Sequence, residues 1–223
     1  MNFLVTGGAG YIGSVLVGML LLREDKVRVF DKLYFDEKPL EDLKKRYGHK
    51  LEIIQGDVRN FHEDILDGIE AVVHLGALSN DPTADFDPKA TVDINFKGTI
   101  NVAEACKKKG IKRFSFASSA AVYGFHVDSV ADEEFIASPQ SEYAKSRLDS
   151  DIALMKMADE NFFLSASGRQ QYMELHQDGD MTLLLILLPG MLSQKGYSGL
   201  MPEEWHGDLL LMSVMLQKHI FLL

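Results

Sequence analysis

The sequence predicts an α/β fold, a doubly wound parallel sheet. Three observations predict it. Short apolar runs of strand length alternate with longer segments whose apolar residues recur at helical spacing. The run AVVHLGA at 71–77 is apolar on both faces, as a strand covered by helices on either side must be. The first run, NFLVT, ends in the glycine-rich turn TGGAGYIG, which opens directly into a helical segment.

The elements follow in order. NFLVT (2–6) is the first strand and YIGSVLVGMLLL (11–22) the first helix. VRVFD (27–31) is the second strand, followed by a polar helix, PLEDLKKRY. LEIIQGD (51–57) and AVVHLGA (71–77) are the third and fourth strands. A long helix covers 87–110 and stops at Gly110. KRFSFASS (112–119) is the fifth strand, and SEYAKSRLDSDIALMKMADE (141–160) a second long helix. No repeat or low-complexity linker interrupts residues 1–163, which are expected to form one domain.

Composition narrows the function. The 223 residues are 46% hydrophobic and 25% charged, ordinary for a globular protein. A net charge of −10 argues against a nucleic-acid partner, which needs a basic face. The one cysteine, Cys106, excludes an internal disulfide and points to a reducing compartment; its place in a helical run suits a small buried side chain. The chain starts on its first strand without a basic leader, and its longest apolar run, LLLILL, is too short to span a bilayer. A cytoplasmic location and no membrane contact are therefore expected. His176, His206 and His219 lack metal-ligand spacing, so no metal site is expected.

The turn between the first strand and first helix carries Gly7, Gly10 and Gly13. Glycine permits the tight bend and lets backbone approach a diphosphate. The free N–H groups at the helix start, on Tyr11, Ile12 and Gly13, can then hold the anion. Asp31 closes the second strand about twenty residues on, where a carboxylate accepts from ribose hydroxyls. It would repel a 2′-phosphate, so NAD is favoured over NADP; Lys32 softens that preference. This is the Rossmann pattern.

The G-x-x-G-x-x-G spacing resembles the extended short-chain dehydrogenase/reductase family, the nucleotide-sugar epimerases and dehydratases, including enzymes like UDP-glucose 4-epimerase. GDVRN places Asp57 and Val58 where the family contacts adenine. Leu75, Gly76 and Ala77 stand in the family's cofactor-lining H-L-A-A segment, with Gly76 replacing an alanine. Asn95 begins the family's N-x-x-G-T pattern. SSAAVYG and SEYAKSR supply the chemistry the resemblance implies: Ser118 beside the cofactor, Ser119 bonding the reacting oxygen, and Tyr143 taking the proton from a sugar hydroxyl as hydride passes to the nicotinamide. In the family a lysine four residues beyond the tyrosine holds the nicotinamide ribose and supplies the cation that a phenol of pKa about 10 needs to act as a base. Here that position is Arg147, while Lys145 falls on another helix face. Arginine keeps the charge but is planar, bulkier and never gives up its proton. Impaired turnover is expected. Dehydratases of the family carry an acid after the serine; Ala120 and Ala121 cannot transfer protons, which favours an epimerase or reductase. A homodimer through the two long helices is implied by resemblance alone. The alternative is a non-catalytic NAD-binding scaffold or redox sensor on the same fold.

The resemblance stops near residue 163. The family continues with a sixth strand and R-x-x-x-V-Y-G-P, whereas this chain reads FFLSASGRQQYMELHQDGDMTL. New codons built from the last base of one residue and the first two of the next can read RQATVYGASPRWRYDL through that stretch. Methionine has one codon, so Met173 before Glu174 must give glycine, and Met181 before Thr182 must give aspartate. In the same frame, WHGDLLLMSVMLQKHIF can read ARRPLVNVRDVAKAYI, which resembles the family's R-P-x-V-H-V-x-D-V-A. Residues 164–223 are therefore expected to be a frameshift product standing in place of the last strands and the substrate domain, with LLLILL and LLLMSVML as chance apolar runs.

Overall fold

The computed structural model describes residues 1–79, 81–125 and 135–167. Six parallel strands form one sheet in the order β3-β2-β1-β4-β5-β6, with helices on both faces. They are β1 (Asn2–Thr6), β2 (Lys26–Asp31), β3 (Leu51–Gln55), β4 (Ala71–His74), β5 (Arg113–Ala117) and β6 (Phe163–Ser167). The order reverses between β1 and β4, and a crevice at the carboxyl ends of the strands on either side of such a point is where this architecture binds ligands.

The alternation along β1 sorts its residues between two cores. Phe3 and Val5 join the layer under α1 (Tyr11–Leu22) and α2 (Lys38–Tyr47), with Leu16, Val17, Leu20 and Leu40. Leu4 faces the other layer, with Val72, Phe114, Phe116, Cys106, Leu154 and Phe162. Each fully buried side chain of this size contributes roughly 1.5–3 kcal/mol. Helix α2 buries only Leu40; Pro39 starts it, and Lys44, Lys45 and Arg46 suit the negative end of its dipole. Cys106 is completely buried, and burial pushes its thiol pKa well up.

Three details depart from the sequence reading. The first long helix runs without a break from Pro88 to Lys108 but contains a π-helical stretch (Val92–Gly98) between α4 (Pro88–Thr91) and α5 (Thr99–Lys108), and it is preceded by a short α3 (Asp81–Phe86). Strand β4 ends at His74 rather than Ala77, because the Gly76 N–H turns to the Thr6 hydroxyl instead of continuing the ladder. The last helix, α6, spans Glu142–Met157. Ser141 caps it, accepting from the Ala144 N–H at 3.1 Å and donating to Asp81 at 2.6 Å.

Strand β6 runs across the boundary expected at 163. It pairs in parallel with β5 from Arg113↔Phe163 to Ala117↔Ser167. A sixth strand is thus present although the sequence reading placed the loss of the later strands here. Edge pairing uses backbone groups alone and asks only for alternation, which Phe163 (outward) and Leu164 (packed on the core) provide. The runs LLLILL and LLLMSVML, Trp205, His176, His206 and His219 lie outside the described residues.

Candidate active site

The glycine turn is built by close approach. Gly7 has φ +70°, and a Cβ there would stand 2.7 Å from the Gly76 nitrogen. A Cβ on Gly13 would stand 2.1 Å from the Gly7 carbonyl oxygen, so the first turn of α1 can lie against the loop only without a side chain. Gly10 caps α1 with no side-chain bond, and no acidic residue occupies the first turn. The first helical hydrogen bond runs from the Ser14 N–H to the Gly10 carbonyl, 2.9 Å, which leaves the N–H groups of Tyr11, Ile12 and Gly13 available to an anion.

Asp31 is pinned beside this turn. One carboxylate oxygen accepts from the Ala9 N–H at 3.0 Å and the other from the Leu33 N–H at 2.8 Å. Lys32 pairs with Asp57 at 3.3 Å. Arg59 bonds both Asp57 oxygens, at 3.0 and 2.6 Å, and holds that carboxyl far below the usual range against the opposing effect of burial, with Lys32 assisting. Val58 is buried and packs beside Gly76 and Gly98. Beyond Asp31 an open hollow is lined by Leu33, Tyr34, Asp36, Glu37, Ile53 and Gln55.

Leu75, Gly76 and Ala77 cross over the glycine turn from the end of β4, all partly buried. Asn95, fully buried in the π-helical stretch, accepts from the Leu78 N–H at 2.8 Å and donates to the Leu78 carbonyl at 2.9 Å. Its side chain thereby ties the lining segment to the helix.

At the end of β5 the two serines divide. Ser118 is buried and donates to Asp151 at 2.5 Å, so its hydroxyl is committed inside the protein. Ser119 caps the following turn, accepting from the Ala121 N–H at 3.2 Å, and its O–H has no acceptor among the described residues. Helix α6 packs against that turn and carries Tyr143, partly exposed. Arg147 is 3% exposed, its guanidinium carbon 5.4 Å from the centroid of the Tyr143 ring and 5.4 Å from that of Phe116. Its Nε and Nη1 are buried and have no hydrogen-bond partner among the described residues. Lys145 is solvent-exposed and paired with Glu142 at 2.7 Å, away from this cluster. The structure therefore brings Tyr143 and Arg147 together and leaves Lys145 out.

Spacing did not reveal His74, Thr6 and Thr99, which form a buried polar chain behind the turn. Burial first, then the Arg147 charge, pull the His74 pKa down to about 3. Nor did it reveal Asp151 or Phe116, whose partners come from distant parts of the chain. Among the described residues no group of three or more His, Cys, Asp or Glu gathers as a metal site, and no helix is long and apolar enough to cross a membrane.

A cradle that any Cβ would fill, free amides at a helix start and two unsatisfied buried guanidinium donors fit a dinucleotide with a diphosphate and ribose hydroxyls. Comparison with known proteins agrees. Residues 3–170 match the model of the NAD dependent epimerase/dehydratase family. The UDP-glucose 4-epimerase of Lacticaseibacillus casei is 35% identical over 155 residues, covering 66% of this chain and 44% of that protein. Among solved structures, MoeE5 in complex with UDP-glucose and NAD is 30% identical with a TM-score of 0.63, covering 75% of this chain and 53% of that one. UDP-N-acetylglucosamine 4-epimerase from Methanobrevibacter ruminantium M1 is also 30% identical, with a TM-score of 0.68, covering 74% and 53%. The chain spans about half the length of these relatives. With the family match and the glycine cradle in agreement, the chain belongs to the NAD dependent epimerase/dehydratase family, whose cofactor is NAD.

Proposed function

We propose that this chain is the NAD-binding part of an epimerase acting on a nucleotide-diphosphate sugar, with impaired turnover. The observation that carries the reading is the Arg147 guanidinium stacked beside the Tyr143 ring, on the helix packed against the turn that bears Ser119. The amides of Tyr11, Ile12 and Gly13 would hold the diphosphate, Asp31 the adenosine ribose and Arg147 the nicotinamide ribose. Lys32, the cation next to Asp31, is engaged with Asp57, which favours NAD over NADP.

When bound, NAD supplies the hydride acceptor and then the hydride donor. Tyr143 takes the proton from the sugar hydroxyl and later returns it, and the Ser119 O–H bonds the reacting oxygen. Arg147 provides the permanent positive charge that a phenol acting as a base requires. Ala120 and Ala121 offer no acid to expel a hydroxyl, which favours epimerisation over dehydration. Arg147 in the lysine position supports a second reading, a non-catalytic NAD-binding scaffold or redox sensor. Mixing the protein with NAD and a panel of UDP-, GDP- and dTDP-sugars separates the two. Transient NADH absorbance or an inverted sugar supports the epimerase; binding heat without either supports the scaffold.

The homodimer would pair α5 and α6 with their copies; Ile152 and Met155 on α6 are exposed. The protein would work in the cytoplasm. Residues 164–223 would come from a shifted reading frame, with β6 drawing on the first residues past the shift. Sequencing the gene across codon 164 tests this: an uninterrupted frame encoding RQATVYGASPRWRYDL after one restored base supports it, and its absence refutes it.

A further inference from the structure

Residues 76–78, which cross the glycine turn, are held by a closed ring of hydrogen bonds that passes through His74. At one end the Gly76 N–H donates to Thr6 Oγ1 at 3.1 Å. Thr6 Oγ1 stands 2.7 Å from His74 Nδ1, and His74 Nε2 stands 3.0 Å from Thr99 Oγ1. Thr99 donates its only proton to the Asn95 carbonyl, 2.6 Å away. The Asn95 side chain then closes the ring on the N–H and the carbonyl of Leu78.

The directions of these bonds are forced. A carbonyl cannot donate, so the Thr99 proton points to Asn95, and Thr99 can only accept from His74. The proton of the neutral ring therefore sits on Nε2, and Nδ1 accepts from the Thr6 hydroxyl. The imidazole is completely buried and stacked on Phe114 and Phe116, at 5.9 and 6.1 Å between centroids. A charged ring there would be costly to desolvate. The ring of bonds also reaches the catalytic helix. The Asn95 amide contacts Ser146 Oγ at 3.3 Å, and its carbonyl accepts from Ser150 at 3.0 Å. Ser146 in turn donates to the Tyr143 carbonyl at 2.7 Å.

We propose that His74 is a positioning residue, a neutral bridge in a single tautomer that holds residues 76–78 in register with both the glycine turn and the Tyr143 helix, and so sets the affinity for NAD. The link to affinity rests on reading this crevice as the NAD site; the link to position does not. Packing alone would make the ring nitrogens irrelevant.

The test uses the whole chain and reads amide hydrogen exchange at Gly76 and Leu78, with Val29 in the centre of β2 as the reporter of global opening. Thr99→Val keeps the volume and removes a hydroxyl on the far side of the imidazole from Gly76. It is expected to speed Gly76 exchange about ten-fold relative to Val29 and to weaken NAD about ten-fold by calorimetry, while Thr99→Ser stays within about two-fold of wild type on both. His74→Phe, which keeps the stacking and loses both nitrogens, should loosen Gly76 in the same way. Unchanged Gly76 exchange in Thr99→Val, or equal acceleration at Gly76 and Val29, would overturn the bridge. Local loosening without NAD binding by any form, wild type included, would instead remove the cofactor reading and leave the bridge standing.

Discussion

The two ends of the crevice are built on different principles. At the glycine turn the groups proposed to hold the ligand are backbone amides, and the side chains matter mainly by their absence, as at Gly7 and Gly13. At the Tyr143 end the groups proposed to act are side chains, and there the chain carries Arg147 where the resemblance implies lysine. Binding distributed over main-chain donors survives sequence drift that does not add bulk. Proton transfer depends on single atoms, so one replacement can leave binding intact and damage turnover.

Gly13→Ala strikes the first region hardest. The added methyl meets the Gly7 carbonyl, so stability should fall by about 2–3 kcal/mol in urea titration. NAD heat should disappear with it. Retained NAD binding would show that the turn is less dependent on close approach than its geometry implies.

Acid acts on the layer behind both ends. The folded-state pKa of His74 is depressed to about 3 from an ordinary 6.5, so the unfolded chain binds a proton that the folded one refuses. Stability from this group is complete above pH 6.5 and is lost as pH falls towards 3, by about 1.4 kcal/mol per pH unit. The depressed Asp57 carboxyl acts in the same direction at lower pH. His74→Phe should flatten the slope between pH 6 and 4 in denaturation series; an unchanged slope would assign it to other groups.

Arg147→Lys, placed in a chain whose restored frame supplies the substrate domain, should raise epimerase turnover about ten-fold, or 1.4 kcal/mol, with NAD affinity little changed. An equal change in both quantities would blur the division between the two ends. Asp31→Asn removes a charged acceptor and should weaken NAD about five-fold while narrowing the preference over NADP, read by parallel titrations. Lys145→Ala loses only an exposed pair with Glu142 and should shift stability by less than about 0.5 kcal/mol and NAD affinity not at all.

Local signals made the first region readable. The glycine spacing, the strand before it and Asp31 after it lie within one stretch of chain, and each has one physical use. Arg147 was also readable, because four-residue spacing on a helix fixes its face relative to Tyr143. The π-helical stretch inside the first long helix was not. The π-helical stretch goes with an Asn95 carbonyl shared by Thr99 and Ser150 and a side chain occupied by Leu78, and two of those three partners are remote in sequence. The early end of β4 was hidden for the same reason, since Thr6 lies far upstream of Gly76. A buried histidine between two threonines leaves no periodic trace at all. Strand β6 shows the converse limit: the sequence alone shows no likeness past 163, yet the family match runs to residue 170 and residues 163–167 pair at the sheet edge.

The solitary sulfhydryl gives the molecule a built-in clock. Cys106 is sealed in the core with its thiolate form suppressed, so an alkylating reagent can label it only when the surrounding layer opens. Because the chain has no second cysteine, each labelled molecule gains one mass increment. Timed labelling in crude extract would therefore count how often this domain breathes, with and without added dinucleotide, before anything is purified.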